Sequence, residues 1–167
     1  MRHTDREYEG LAAPGYFDYW DNIPHYYSYN IGSWHLIALN SNCAFVACSV
    51  GSAQESWLAG DLAANTKPCT LAYFHHPRYT SGQELDTPSL QPLWADLYAA
   101  RADLVLVGHD HEYERFAPMD ANGIASDPGV REFVVGTGGE SHYSFSDTDR
   151  SESRSPQNGA LRMAAPP

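Results

Sequence analysis

The chain has 167 residues, of which 43% are hydrophobic and 13% aromatic, which is enough apolar material for one folded domain with its own core. Ten Lys and Arg against 21 Asp and Glu give a formal net charge of −11, and no basic cluster interrupts this balance. Because this charge repels a phosphate backbone, nucleic acid is not expected as a partner. A smaller anionic substrate would need positive charge at its site, from a metal ion or a few arginines.

The sequence predicts no membrane span and no signal peptide. No apolar stretch approaches the roughly 20 residues that a spanning helix needs. The first ten residues, MRHTDREYEG, are charged and lack an apolar core region. The three cysteines, at positions 43, 48 and 69, lack the spacing of a zinc knuckle. They fit either one disulfide plus a buried thiol or three buried thiols.

A β-hairpin is predicted within the first forty residues. Residues 25–30 and 33–40 combine aromatic and β-branched side chains, and Gly32-Ser33 between them suits a tight turn. We expect the aromatic rings to pack across the strands, and His25 and His35 to be packing residues. A sugar-binding aromatic face is the alternative.

Two helices follow the hairpin. Ser52 and Glu55 have the spacing of a capping box, which predicts a helix ending near Asn65. A second amphipathic helix is predicted over residues 89–100, with Ser89 or Thr87 near its cap. This prediction rests on apolar residues at helical spacing, namely Leu90, Leu93, Trp94, Leu97 and Tyr98.

Short apolar strands are predicted on both sides of the second helix, in CTLAYF (69–74) and ADLVLVGHDH (102–111). A further strand lies in REFVVGTGG (131–139), and residues 146–167 are predicted to be loop or disordered. A strand, a helix and a strand in this order favour neighbouring parallel strands in an α/β fold. Ligands of such sheets gather at the carboxyl ends of the strands.

Histidines stand at both of these carboxyl ends. His75 and His76 follow the first strand, and His109 and His111 follow the second. Residues i and i+2 project to one side, so His109 and His111 are expected to face one cavity while Asp110 points away. Together with His75 they predict a partial site for a transition metal, since neutral imidazoles are good ligands for zinc, iron and manganese. His76 is a weaker ligand candidate because adjacent side chains diverge.

The remaining polar residues near these strands have simpler interpretations. Glu112, Glu114 and Arg115 are predicted to be surface charges or local ion pairs. His76, Arg78 and His142 are candidates for contact with substrate, although a solvated loop is the ordinary role for Arg78 and Tyr79.

The motifs GHDHEYERFAP and FHHPRYTSG resemble the C-terminal half of the calcineurin-like metallophosphoesterase superfamily, in its purple acid phosphatase-like branch. Supporting pieces run in the same order through GYFDYW, LIALNSN, QESWLAGDLA and VVGTGG, over residues 16 to about 140. The resemblance implies a partial αββα sandwich over residues 1–145, with a mixed sheet, covering helices and the N-terminal half missing. It also implies a metal-activated hydroxide that attacks the phosphorus of a phosphoric ester.

The resemblance implies two metal ions, iron, zinc or manganese, with His75 and His109 on one and His111 on the other. Of the family's upstream motifs, D-x-H and G-D have no counterpart here. Spacing aligns TDREY with the third motif, which puts Asp5 at a metal-ligand position and Arg6 at that of the substrate-side histidine. Arginine stays charged and cannot act there as a general acid.

The bridging carboxylate is also missing from this set, so the chain is interpreted as a fragment of a phosphatase-like enzyme with an incomplete binuclear site. The alternatives are a non-catalytic remnant of such an enzyme and a secreted glycan-binding module. Relatives of this type are often exported, in which case a disulfide from Cys43 or Cys48 to Cys69 would fit.

Overall fold

A computed structural model describes residues 19–21, 23–139 and 141–143 of the chain. Asp5, Arg6 and the predicted tail at 146–167 lie outside the described residues, so the roles and the domain boundary given to them stay predictions. No helix among the described residues has the length and apolar character needed to cross a membrane.

The described residues form a six-stranded mixed sheet with two α-helices. The strands are β1 (Tyr27–Ile31), β2 (Trp34–Ala38), β3 (Cys69–Tyr73), β4 (Leu104–Val107), β5 (Tyr113–Arg115) and β6 (Arg131–Val135). Their order in the sheet is β1-β2-β3-β4-β6-β5. β2, β3, β4 and β6 run parallel, and the edge strands β1 and β5 run antiparallel to their neighbours. The predicted α/β fold with a mixed sheet is confirmed.

The predicted hairpin is present, with Ile31 paired to Trp34 across Gly32-Ser33. Gly32 has a φ of +56°, a conformation that glycine adopts without steric cost. The Tyr26 ring packs against Trp57 of the following helix, with ring centroids 5.0 Å apart, rather than across the strands. His35 is buried, but the prediction that His25 is a packing residue is wrong because it lies exposed before β1.

The helices are α1 (Ala53–Ala64) and α2 (Gln91–Ala99). Ser52 caps α1 as predicted, and its side chain accepts a hydrogen bond from the Glu55 N–H at 3.3 Å. The helix predicted over residues 89–100 is present, and Thr87 occupies the cap position of the 3₁₀ turn that precedes it. This turn (Pro88–Leu90) leads directly into α2, so Leu90 occupies the cap position of α2 and neither Thr87 nor Leu90 makes a side-chain capping bond.

Cys43 and Cys48 form a disulfide, with Cα atoms 5.3 Å apart, and Cys69 is a free cysteine. A bridge to Cys69 is therefore wrong. Residues 41–48 turn back on themselves, with the Val46 N–H bonded to the Asn42 carbonyl, which brings the two cysteines together. Cys69 instead begins β3, and its N–H donates to the Ser33 carbonyl at 3.3 Å.

The core lies between the sheet and the two helices. It contains Ile37, Leu58, Ala72, Leu93, Trp94, Leu97, Val105, Phe116, Met119 and Val134, all nearly inaccessible to solvent. β3 and β4 alternate between buried and half-buried residues. Because the two strands are parallel, their carboxyl ends lie at the same edge of the sheet, and the histidines follow there.

Candidate metal centre

The turns after β3 and β4 lie side by side. The Phe74 N–H donates to the Leu106 carbonyl at 3.1 Å, and the Gly108 N–H donates to the His75 carbonyl at 2.9 Å. The backbone then reverses at His109, whose φ of +66° is uncommon for a residue other than glycine and is often found at functional sites. These contacts bring His75 and His109 together from adjacent parallel strands, as the sequence predicts.

Three imidazole rings meet at this edge. Nε2 of His75 lies 3.1 Å from Nδ1 of His109. His76 joins them, and one ring nitrogen from each of the three lies within 4.8 Å of the others. The expectation that His76 diverges from His75 is wrong, since their ring centroids are 4.9 Å apart.

His75, His76 and His109 are called the cluster below, and residues around it contact its rings and backbone. The Ser41 hydroxyl lies 2.9 Å from Nδ1 of His76 and accepts the backbone N–H groups of both His75 and His76. A carboxylate oxygen of Glu84 lies 3.7 Å from Nε2 of His109. Neither partner occupies the centre of the cluster, so nitrogens remain directed inward.

The electrostatics of the cluster favour neutral imidazoles. Burial and the neighbouring histidines lower the pKa of His75 to about 4. Burial, followed by the proximity of His109, lowers the pKa of His76 to about 4 against the opposing effect of Ser41. A neutral imidazole has a lone pair to offer, so both residues are in the ligand form at neutral pH.

His111 lies next to this cluster but makes other contacts. Its Nδ1 is 3.2 Å from the Ser141 carbonyl, and its ring stacks on Tyr143 with centroids 4.4 Å apart. The Tyr143 N–H in turn donates to the His111 carbonyl at 3.0 Å. Nδ1 therefore carries the proton that Ser141 accepts, which leaves Nε2 as the available ligand atom. His142 is exposed in the same short segment.

Arg78 points away from the cluster. Its guanidinium donates to the side-chain oxygen of Gln91 at 2.6 and 3.0 Å and lies over the Tyr79 ring. The N–H groups of Arg78 and Tyr79 donate to the buried carboxyl of Glu132 on β6. Burial raises the pKa of Glu132 to about 8, against the effect of those two N–H groups. Arg78 thus ties the loop after Pro77 to Gln91 at the start of α2.

The acidic residues of GHDHEYER are buried, so the prediction of surface charges is wrong for Glu112 and Glu114. Asp110, Glu112 and Glu114 are each at most 1% exposed. Thr80 and Ser81 donate hydroxyl protons to Asp110 and Glu114, and the Ser81 N–H bonds Glu114 at 2.9 Å. Asp110 points away from the histidines, as expected. The i, i+2 spacing of these three acids was the available signal, because it places them on one face.

The residues present fit a metal ion at the cluster. The donors are imidazole nitrogens, which suit zinc, iron and manganese better than calcium or magnesium, and two of the three rings have a hydrogen-bonding or charged partner on their other nitrogen. Among the described residues, the cluster is the one group of three or more potential ligands that converges closely enough to hold an ion.

The fold resembles parts of longer solved structures. It matches purple acid phosphatase PPD1 from yellow lupin (Lupinus luteus) seeds with a TM-score of 0.62 at 20% identity, over 72% of this chain and 24% of that chain. It matches the structure of PhoD with a TM-score of 0.57 at 15% identity, over 84% of this chain and 36% of that one. The mixed sheet and the two helices are thus part of a sandwich fold.

Two proteins of known family are similar to this chain in sequence. The chain is 37% identical over 100 residues to probable purple acid phosphatase 20 of Arabidopsis thaliana, which is 55% of this chain and 23% of that protein. It is 33% identical over 124 residues to purple acid phosphatase 18 of the same plant, or 68% of this chain and 26% of that protein. No protein-family model matches. Over about half to two thirds of its length the chain is thus similar to purple acid phosphatases, and it spans about a quarter of the length of these relatives.

Proposed function

We propose that this chain serves metal-dependent hydrolysis of phosphoric esters. His75 and His109 hold one metal ion and His111 holds a second. The observation that supports this most directly is the 3.1 Å approach of His75 Nε2 to His109 Nδ1 across two parallel strand ends. The purple acid phosphatase relatives supply the reaction class.

The charge of the chain fits this proposal. A net charge of −11 repels a phosphate ester, and Arg78 is committed to Gln91 rather than to the site. A bound metal ion would supply the positive charge, Lewis-acid stabilisation and a nucleophile at neutral pH. The residues of this chain hold and orient that ion, and Ser41 and Glu84 fix the rings that do so. Asp5 as an oxygen ligand and Arg6 beside the substrate remain further predictions.

A non-catalytic metal-binding role is the second candidate. The buried carboxyl groups near the site, on Asp110, Glu114 and Glu132, bond to residues 78–84 rather than to the histidine cluster. Within the described part of the chain, the cluster thus holds nitrogen ligands and no carboxylate that could bridge two ions. Such a site can bind an ion without positioning a nucleophile against phosphorus.

A chelated and reloaded sample separates the two candidates. The full chain is stripped with a chelator, reloaded with Fe, Zn or Mn, and assayed for bound metal and for release of p-nitrophenol from p-nitrophenyl phosphate. Hydrolysis that requires metal and falls at least 100-fold in His109→Ala supports the phosphatase. Bound metal without hydrolysis supports the non-catalytic role, and absence of bound metal contradicts both. His35→Gln is the matched control. It removes an imidazole near the start of β2, at the edge of the sheet opposite to the cluster.

A further inference from the structure

His76 was a poor candidate from sequence because neighbouring side chains usually diverge. In the structure its ring centroid lies 4.6 Å from that of His109 and 4.9 Å from that of His75. The rings of His75 and His76 are nearly perpendicular, at 87°. Pro77 follows immediately and biases His76 toward extended backbone, which allows this arrangement. Three rings thus face one point from two turns.

The spacing suits coordination of one ion. Zinc–nitrogen bonds of about 2.0–2.1 Å at tetrahedral angles place two ligand nitrogens about 3.3 Å apart. The observed separation of His75 Nε2 and His109 Nδ1 is 3.1 Å, and all three nitrogens lie within 4.8 Å of one another. A small inward movement of one side chain would complete the set.

Outer contacts bear on two of the rings. The Ser41 hydroxyl lies 2.9 Å from Nδ1 of His76, and Nε2 is the other possible ligand atom of that ring. Glu84 approaches Nε2 of His109, which leaves its Nδ1 facing His75. Carboxylate and hydroxyl partners of this kind fix the tautomer and orientation of metal-binding histidines.

We propose that His76 is a third imidazole ligand, so that His75, His76 and His109 together bind one ion of the zinc class. This deepens the proposed function, on which it rests, by naming the residue that completes the first ion's nitrogen set. His111 takes no part in this ion, because it is held by Ser141 and Tyr143. An all-nitrogen set favours zinc, cobalt, nickel and copper over magnesium and calcium.

Metal titration of the full chain tests the proposal without reference to phosphatase activity. Zinc affinity is measured by competition with a chromophoric chelator, and Co²⁺ is added separately to record its visible absorption. His76→Ala is expected to weaken zinc binding at least 10-fold and to reduce the intensity of the Co²⁺ bands. His35→Gln, the matched control, is expected to leave the zinc affinity within about twofold, because His35 lies outside the cluster. Circular dichroism confirms that each variant is folded, and His76→Gln repeats the test with a side chain of similar volume.

The outcomes separate this inference from the function beneath it. If the wild-type chain binds no zinc or cobalt, the inference is wrong, and the proposed function is wrong as well only if iron and manganese also fail to bind in the preceding experiment. If it binds one ion that His76→Ala and His76→Gln leave unchanged while His109→Ala abolishes it, the inference alone is overturned. If His111→Ala weakens the first ion as much as His109→Ala does, His111 rather than His76 is the third ligand.

Discussion

Histidine has two different roles at the two ends of this sheet. His35, in β2, is 5% exposed and lies between two oxygen acceptors, Asn30 at 2.8 Å and Asp61 at 2.7 Å. Asp61 also accepts the Ser28 hydroxyl at 2.7 Å. In the cluster of His75, His76 and His109, by contrast, ring nitrogens face other ring nitrogens. The two regions also differ in exposure, since His35 is buried whereas His75 is exposed and His76 and His109 are half-buried.

The partners of the rings differ as well as their burial. Each ring nitrogen of His35 has a side-chain oxygen as its partner, so His35 joins β1, β2 and α1. In the cluster, Nε2 of His75 has a nitrogen of His109 as its hydrogen-bonding partner at 3.1 Å, and imidazole nitrogens are good ligands for a transition metal. The sequence shows where histidines occur but not which partners they acquire.

The backbone beneath the cluster offers the largest perturbation. A Cβ at Gly136 would lie 1.7 Å from the Asp110 carbonyl oxygen, in the turn that carries His109 and His111. Gly136→Ala must displace that backbone, and we expect a loss of about 3 kcal/mol in the free energy of unfolding. Metal affinity should fall at least 10-fold while the His35 network stays intact. Urea unfolding and zinc titration measure the two effects.

Gly60→Ala is the matched control for this change. Gly60 lies in α1, where an added Cβ meets no atom within 4 Å. Replacing a helical glycine by alanine is expected to stabilise the chain by about 0.5–1 kcal/mol and to leave zinc affinity unchanged. If Gly136→Ala changed the free energy of unfolding no more than Gly60→Ala does, the turn would tolerate a side chain and its packing would not support the cluster.

A smaller effect is expected at the other end of the sheet. His35→Ala leaves Asp61 and Asn30 without their shared partner, which should lower the free energy of unfolding by about 1–2 kcal/mol. Zinc affinity should not change, because His35 pairs with Thr70 near the start of β3 and the cluster follows its end. A double-mutant cycle with Asp61→Ala isolates the pair. A zinc affinity that falls with His35 would contradict the separation of the two regions.

Much of this architecture could be predicted from local pattern. Hydrophobic alternation, the Ser52 cap and the Gly32-Ser33 turn specify the hairpin, α1 and the parallel strands, because each signal lies within a few residues. The meeting of His75 and His109 follows from the rule that parallel strands align their carboxyl ends.

The failures concern contacts between distant segments. The hydrogen-bond donors to the buried Glu114 come from residues 80 and 81, more than thirty positions away. No local pattern in HDHEYER predicts these donors. The convergence of His76 likewise depends on Ser41, which is 35 residues earlier in the chain and bonds both the ring and the backbone of His76. Periodicity records which face a residue occupies, whereas these partners depend on how loops cross above the sheet.

The pH dependence of the metal-free chain gives the smallest and most selective comparison. His75 and His76 have pKa values lowered to about 4 from an ordinary value of 6.5. Above pH 6.5 both rings are neutral in the folded and the unfolded chain. As the pH falls from 6.5 toward 4, the unfolded chain binds protons that the folded chain does not, so the free energy of unfolding decreases.

The double variant His75→Gln/His76→Gln should lose part of this decrease, as measured by urea unfolding at pH 7 and pH 4.5. Carboxyl groups titrate equally in both proteins, so identical slopes would show that these two rings accept protons freely in the folded state and that the cluster lacks the electrostatic character assigned to it.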